Sequence, residues 1–384
     1  MTKIVAIDAR WLVGGIGTYT ENLLLALRQM ADGLEFRAIA RGADVERVKA
    51  LCSRVTVVDV PIYTLLEQIL IPRAAKKCDL LHVPHFNVPL LHRGPLVVSI
   101  MDVIHLRSPE YRRNLSSILY ARPMLNAAAR KADQIITVSH HSKLQIMETL
   151  GIPGSKISVI HCGVGAQFRQ NRNHKESQTA AQALGTDRPF LLYVGNLKPH
   201  KNVTTLLRAF AQLHRGKKLA HSLVIVGQDA RWNRSILDEC SRLRIHDSTI
   251  FVPYVSPALL PKLYAAADLF VMPSTAEGFG LPVLEAMACG TPVVCSNAAS
   301  LPEVAGDAAL YFDPASHEEL AEQIELLLQS AALRSSLREE GLRRANQFTW
   351  QNFARKHVAL YHQLLGLAGG NSGTFAFASY LENC

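Results

Sequence analysis

No run of about 18 uncharged apolar residues occurs in this 384-residue chain, so no membrane-spanning helix is expected. The opening Met1-Thr-Lys-Ile-Val-Ala-Ile-Asp8 meets an acid too early for a secretory signal, and the chain reads as cytoplasmic. Its seven cysteines (Cys52, Cys78, Cys162, Cys240, Cys289, Cys295 and Cys384) are odd in number and scattered, with no Cys-x-x-Cys pair. That pattern signals neither a disulfide framework nor a zinc site, and most of them read as small buried hydrophobes. Zinc-finger spacing, a recognition-helix signature and basic runs interleaved with aromatics are all lacking, so no nucleic-acid partner is expected. The glycine-rich segments lack a Gly-Lys-Ser/Thr ending, which disfavours an ordinary ATPase loop. Gly15-x-Gly17 lacks the third glycine of a dinucleotide fingerprint, because position 20 is Thr.

What is present is the composition of a globular protein, 48% hydrophobic and 19% charged, in a chain long enough for two domains. The net charge of +9 is uneven: residues 1–168 hold 20 Lys+Arg against 13 Asp+Glu, and residues 169–384 hold 21 against 19. A basic first half suits an anionic lipid surface or a phosphate-bearing acceptor, although a solvated surface has the same composition.

Apolar β-rich runs alternate with helical stretches, the pattern of βα units around parallel sheets. Six fall in the first half: Lys3–Ile7, Phe36–Ile39, Val55–Val58, Leu80–Val83, Leu96–Ile100 and Gln134–Val138. Six fall in the second: Phe190–Val194, Leu223–Val226, Thr249–Val252, Leu269–Met272, Pro292–Val294 and Ala309–Phe312. The division predicts an α/β protein with lobes over 1–168 and 189–347. Residues 169–188, which include the polar run Arg169–Gln178, form the connector. Residues 348–367 have helical spacing and are expected to pack back on the first lobe, with a flexible tail over 368–384.

The most informative stretch is Glu277-Gly-Phe-Gly-Leu-Pro-Val-Leu-Glu285, which follows an apolar strand and opens a helix. Pro282 suits a helix start and Gly290 a helix stop, with Glu277 in the turn and Glu285 expected in the first helical turn. Free N–H groups at a helix start favour a phosphate, and ionised carboxylates accept paired hydroxyls. Read alone, the two carboxylates also fit the acid and nucleophile of a glycoside hydrolase, or a solvated loop residue and a helix-dipole partner. Two further elements bear on this choice. Gly14-Gly15-Ile16-Gly17 leads into a helix expected from Thr18 to Met30, and its backbone N–H groups can approach a ligand closely. Val194-Gly195-Asn196-Leu197-Lys198-Pro199-His200-Lys201-Asn202 places two lysines where a strand end aims them at a diphosphate.

These residues resemble the retaining glycosyltransferases of family 4, also called group 1, and most nearly their mannosyltransferase-type branch. The likeness runs from Asp8 to about Leu367. It rests on Glu277-x₇-Glu285 within the matched stretch Pro273–Val294, on Gly15-Ile16-Gly17, on Ala132–Ser139 and on Gly195–Asn202. The resemblance implies the GT-B fold, two Rossmann-like lobes facing a central cleft, with a nucleoside-diphosphate sugar in the second lobe and a glycan or lipid-linked acceptor in the first. It implies that Lys201, helped by Lys198, binds the diphosphate, that Glu285 holds the ribose and that Glu277 holds the transferred sugar. Phe279, Gly280 and Leu281 would offer backbone N–H groups, Gly15 and Gly17 would close on the diphosphate, and the nucleobase would lie near Tyr254 and Val255. No metal or other cofactor is expected. Two positions depart from the family pattern. Asn196 stands where relatives often have Arg, and Met101 stands before Asp102 where they commonly have a sugar-contacting His, leaving Asp102 and His105 as catalytic candidates. The function expected is hexose transfer, with mannose from GDP-mannose as the leading donor, in surface-polysaccharide synthesis. A peripheral contact with the inner face of the membrane would come through the basic lobe. A nucleotide-sugar epimerase or hydrolase, or a non-catalytic nucleotide-sugar-binding protein, are the alternatives.

Overall fold

A computed structural model describes residues 2–30, 33–108, 115–170, 174–182, 185–186, 189–216, 219–227 and 233–367. The tail expected over 368–384 lies outside them.

Thirteen strands form two parallel sheets. The first sheet comprises β1 (Lys3–Asp8), β2 (Leu34–Ala40), β3 (Val55–Val57), β4 (Leu80–Val83), β5 (Leu96–Ser99), β6 (Gln134–Thr137) and β7 (Ile157–Val159), in the order β3-β2-β1-β4-β5-β6-β7. The second comprises β8 (Phe190–Val194), β9 (Ser222–Val226), β10 (Thr249–Val252), β11 (Leu269–Met272), β12 (Val293–Ser296) and β13 (Leu310–Phe312), in the order β10-β9-β8-β11-β12-β13. β4, β5, β9, β11 and β12 are buried along their whole length, as parallel strands covered on both faces must be, and this explains their nearly unbroken apolar sequences. All twelve expected runs are strands. The thirteenth, β7, is not among them: its three residues, Ile157-Ser-Val159, are broken by a serine and make no apolar run.

The chain divides into two compact units. One comprises Met1–Ser99, Met124–Ile135 and the described residues from Gln351 onward; the other comprises Ile100–Pro123 and Ile136–Trp350. In the first unit, the helix Trp350–Leu364 is tied to the amino-terminal elements by a buried polar chain. Tyr19 Oη lies 2.7 Å from His357 Nε2 and 2.9 Å from Ser99 Oγ, while His82 bonds Ser99 Oγ at 2.8 Å and Tyr361 Oη at 2.7 Å. Burial pushes the His357 imidazole down to about 4, so it sits in the core neutral and fully bonded.

The first glycine segment differs from expectation. The helix runs from Gly14 to Arg28, so the glycines form its opening turn rather than a loop before it. Glycine is a poor helix former, which is why the apolar pattern dates the helix only from Thr18. The glycines have different reasons to be there. A Cβ on Gly17 would stand 2.4 Å from the Leu12 carbonyl carbon, whereas one on Gly15 would meet nothing within 4 Å. Gly17→Ala is therefore expected to cost about 1–3 kcal/mol by overpacking against backbone. Gly15→Ala leaves stability equal or slightly higher, and denaturant midpoints of the two variants separate the cases.

The connector also carries helix. Ala166–Gln170 and His174–Gln182 are helical, and Glu176 in the second pairs with Lys262 at 3.4 Å in the helix Leu260–Ala266. Glu176, Gln178, Thr179 and Gln182 of the helix His174–Gln182 are exposed, so polar residues there are compatible with regular structure.

Candidate active site

The second unit collects its charged groups where β8 and β11 end. After β11, Pro273 stops the strand and the chain turns through Ser274–Gly280 into the helix Leu281–Ala288. Gly280 caps that helix at φ +110°, a conformation open to glycine at little cost, and Pro282 occupies its first turn. Pro282 has no N–H and Val283 N–H is taken by Gly280 O at 3.0 Å, so Gly280 and Leu281 N–H are the donors this start can present to an anion. Ser300 ties the loop down, its hydroxyl near Glu277 O at 3.1 Å and Phe279 O at 2.8 Å. Ser139 and Ser142 hydroxyls donate to Gly278 O at 2.8 and 3.1 Å.

Glu277 is buried rather than solvated. Its Oε1 accepts from Lys201 Nζ at 2.6 Å and from Ser274 Oγ at 2.7 Å, with side-chain exposures of only 12% for Lys201 and 9% for Glu277. Oε2 accepts no hydrogen bond among the described residues, so one carboxylate oxygen is anchored and the other is left for a ligand hydroxyl. Lys201 is delivered by the short 3₁₀ turn Pro199–Lys201, which Lys198 begins. The turn is fixed by Asn202, whose side-chain amide donates to Pro273 O at 3.0 Å and Pro314 O at 2.8 Å, and by Thr275 N–H donating to His200 O at 2.8 Å. Burial first, then the two neighbouring lysine charges, push the His200 imidazole down to about 4, so it adds no charge here.

Asp102 joins this group. Its Oδ2 lies 2.9 Å from where a Cβ on Gly278 would be, so a side chain there would push the Asp102 carboxylate aside. Its Oδ1 accepts from Ile104 N–H at 3.1 Å. Burial raises the Asp102 carboxyl, and Glu277 raises it further, against the opposing effects of the Ile104 N–H, His105 and Lys201. Burial likewise lowers His105, with Asp102 working against it and Lys198 with it. Met101, in the place of the family histidine, turns its carbonyl to Thr137 Oγ1 at 3.3 Å. The structure thus brings Glu277, Lys201, Asp102 and His105 into one electrostatically coupled cluster.

Glu285 is the fifth residue of its helix and so sits in the second turn, one turn beyond where it was expected. There it accepts from Tyr264 Oη at 3.0 Å, and burial raises its carboxyl to about 7 with only that hydroxyl opposing. Gly195 is fixed by close approach: a Cβ on it would come 2.8 Å from Tyr193 Oη, and one on Gly227 would come 1.8 Å from Gly195 O. Past the end of β10, Tyr254 is exposed and Val255 is buried. Phe279 is buried and packs on His161 at 5.9 Å, so it offers its backbone and not its ring. Gly15 and Gly17 belong to the first unit.

Sequence reasoning missed the serines that set this loop, Ser139, Ser142, Ser274 and Ser300. Two of them lie inside motifs already noted, Ser139 as the cap of the helix His140–Leu150 and Ser274 just before the glycine turn. It also missed Glu303. That carboxylate accepts from His140 and His141 N–H at 2.8 and 3.2 Å and lies 2.7 Å from His161 Nε2. Burial would raise it, but these bonds outweigh burial and hold it below the ordinary value. His140, His161 and Glu303 are the group among the described residues close enough to hold a metal ion, and their carboxylate is already engaged as a cap on the helix His140–Leu150.

A buried lysine beside a half-engaged carboxylate, facing a helix start, can hold a diphosphate next to a polyhydroxylated group. Known proteins agree. Residues 13–168 match the Glycosyltransferase Family 4 model and residues 174–344 the Glycosyl transferases group 1 model. The chain is 33% identical over 286 residues to the Escherichia coli O-antigen chain mannosyltransferase B, covering 74% of each protein. It is 26% identical to an uncharacterized glycosyltransferase of Methanocaldococcus jannaschii over 93% of this chain and 96% of that one. In fold it is similar to Anabaena HepE, solved with UDP and glucose, with a TM-score of 0.77 and 21% identity over 94% of this chain and 100% of that one. No helix among the described residues is long and apolar enough to cross a membrane. The chain belongs to the group 1, family 4 glycosyltransferases and has their two-sheet GT-B architecture.

Proposed function

We propose that the protein moves a hexose, with retention of configuration, from a nucleoside-diphosphate sugar to a glycan or lipid-linked acceptor. The leading donor is GDP-mannose and the process surface-polysaccharide assembly. The observation that carries this reading is the buried Lys201–Glu277 pair at the start of the helix Leu281–Ala288. In it, Lys201 neutralises the departing diphosphate while remaining bonded to Glu277, since an ammonium has three donors. Gly280 and Leu281 N–H add to the same charge. Glu277 Oε2 takes the sugar hydroxyls and Glu285 the ribose pair, with the nucleobase beside Tyr254 and Val255. Retention requires attack on the face the diphosphate leaves, so the leaving phosphate itself takes the acceptor's proton and no separate base is needed. Lysine and helix-start charge then supply what a metal supplies elsewhere, and turnover in excess chelator is the expected result. Mannose is favoured by the similarity to the O-antigen chain mannosyltransferase B.

Thermal-shift screening of GDP-, UDP-, dTDP- and ADP-sugars tests the donor assignment, since a ligand of the folded state raises its melting temperature. A shift with GDP-mannose supports it, and a shift only with another base replaces it. Met101 supports a second reading, a nucleotide-sugar-binding protein without turnover, which predicts the same shift and no transfer.

Glu285 gives this reading a pH signature. A ribose that donates both hydroxyls to Glu285 favours the ionised carboxylate, so donor affinity should rise about tenfold between about pH 6 and pH 8 for a group near 7. Stability moves the other way. The folded state keeps the Glu285 proton above the ordinary carboxyl value, so folding takes up a proton and stability falls as pH rises from that value through about 7. Glu285→Gln should therefore melt higher than wild type at about pH 8, with the gap closing toward about pH 4.

A further inference from the structure

The segment 61–94 of the first unit has its polarity reversed. Its helix, Glu67–Ala74, turns Glu67 and Ile71 inward and leaves Ile69 and Arg73 exposed at a spacing of four; Ala75 just beyond it is also buried, while Leu65 and Leu66 in the turn before and Lys76 in the turn after are exposed. Leu65 is 88% exposed, Leu66 60% and Ile69 54%. The inward glutamate is no error of packing, since Glu67 Oε2 lies 3.2 Å from the buried Arg10 guanidinium and Glu67 Oε1 holds the Tyr63 N–H at 3.0 Å. The Gln68 side chain links this face to a second apolar turn. It accepts from Leu90 N–H at 2.6 Å and donates to Val88 O at 3.2 Å, which brings up Leu90 and the 62% exposed Leu91. With Tyr63 these residues make six of the thirteen large apolar side chains exposed among the described residues. Such clustering marks a surface meant to be covered.

Charge identifies what covers it. Arg73, Lys76, Lys77 and Arg93 are exposed in the same segment, whereas its two acids are engaged by basic groups outside it, Glu67 by the buried Arg10 that it shares with Asp8 and Asp79 by Lys3 at 2.8 Å. Apolar side chains flanked by unopposed cations fit a bilayer that carries anionic lipid: the leucines enter the acyl boundary while the cations stay among the headgroups. We propose that residues 63–69 and 90–91, with Arg73, Lys76, Lys77 and Arg93, dock the protein on an anionic membrane surface. The purpose of this docking rests on the lipid-linked acceptor proposed above, but its test needs neither donor nor acceptor, so the two readings fail separately.

The experiment is co-sedimentation of the full chain with phosphatidylcholine vesicles made with and without phosphatidylglycerol. Wild type should partition to the anionic vesicles, less so as salt is raised to about 0.5 M. Leu65→Asp/Leu66→Asp should weaken that binding at least about thirtyfold, with an unchanged melting temperature because both side chains are already in water. Lys76→Gln/Lys77→Gln should weaken binding about tenfold, on anionic vesicles alone. Wild type left in the supernatant, or a leucine double variant that sediments like wild type, overturns the proposal. So does a wild-type dimer in light scattering that the leucine variant abolishes, which would make the face a self-association surface. Loss of turnover by that variant on a lipid-free acceptor without vesicles would assign the leucines to acceptor binding instead.

Discussion

Glu277→Gln should lower turnover by about 10²–10³-fold while the donor still binds and the protein stays folded. The amide keeps an oxygen for Lys201 and Ser274 but puts a donor where Oε2 would accept from the sugar under the proposed function, and it removes the negative charge that a developing oxocarbenium ion would feel. Glu277→Ala should lose at least as much activity and, in addition, about 3–5 kcal/mol of stability, because it strands a buried ammonium. Steady-state rates alongside melting curves separate the two effects. Transfer at the wild-type rate by a folded Gln variant would remove Glu277 from the chemistry.

The second large effect is on binding. Lys201→Ala should weaken donor affinity by about 10–100-fold, the worth of one or more hydrogen bonds to a charged group. It should also raise the Asp102 carboxyl further, since Lys201 is one of the influences holding it down. Lys201→Arg is not expected to rescue fully, because the site holds a compact point charge at the end of the short turn Pro199–Lys201. Calorimetry with the donor that thermal shift selects reads this directly, and equal affinities for wild type and Lys201→Ala would place the lysine outside the site.

Much of this was legible beforehand because the same chemistry writes both the sequence and the fold. Parallel strands buried on both faces have to be apolar runs, so β8 to β13 could be read almost to the residue. Glu277 and Lys201 stood out because each follows such a strand, and the structure joins them across 76 positions of chain. The identities of the loop residues hid more. Nothing in the spacing distinguishes a solvated Glu277 from one anchored by Ser274 and Lys201, since the distinction is made by burial. The helix at Gly14 was dated late because propensity argues against glycine while the contact of Gly17 with the Leu12 backbone, invisible in one dimension, requires it. Glu285 falls in the second turn because the helix begins at Leu281, capped by Gly280, one residue before the Pro282 that marks its start in the sequence. Ser300 and Glu303 lie far along the chain from the groups they hold, and only folding pairs them.

Transfer with retention to an acceptor alcohol is the central step of the proposed function. Proton NMR of the product formed from the selected nucleotide-sugar and a lipid-linked or glycan acceptor tests that in one measurement. The expected product is a glycoside whose anomeric configuration is that of the donor, formed only when acceptor is present and suppressed by Glu277→Gln. A product of inverted configuration, or consumption of the donor at the same rate without acceptor, would contradict the proposed function.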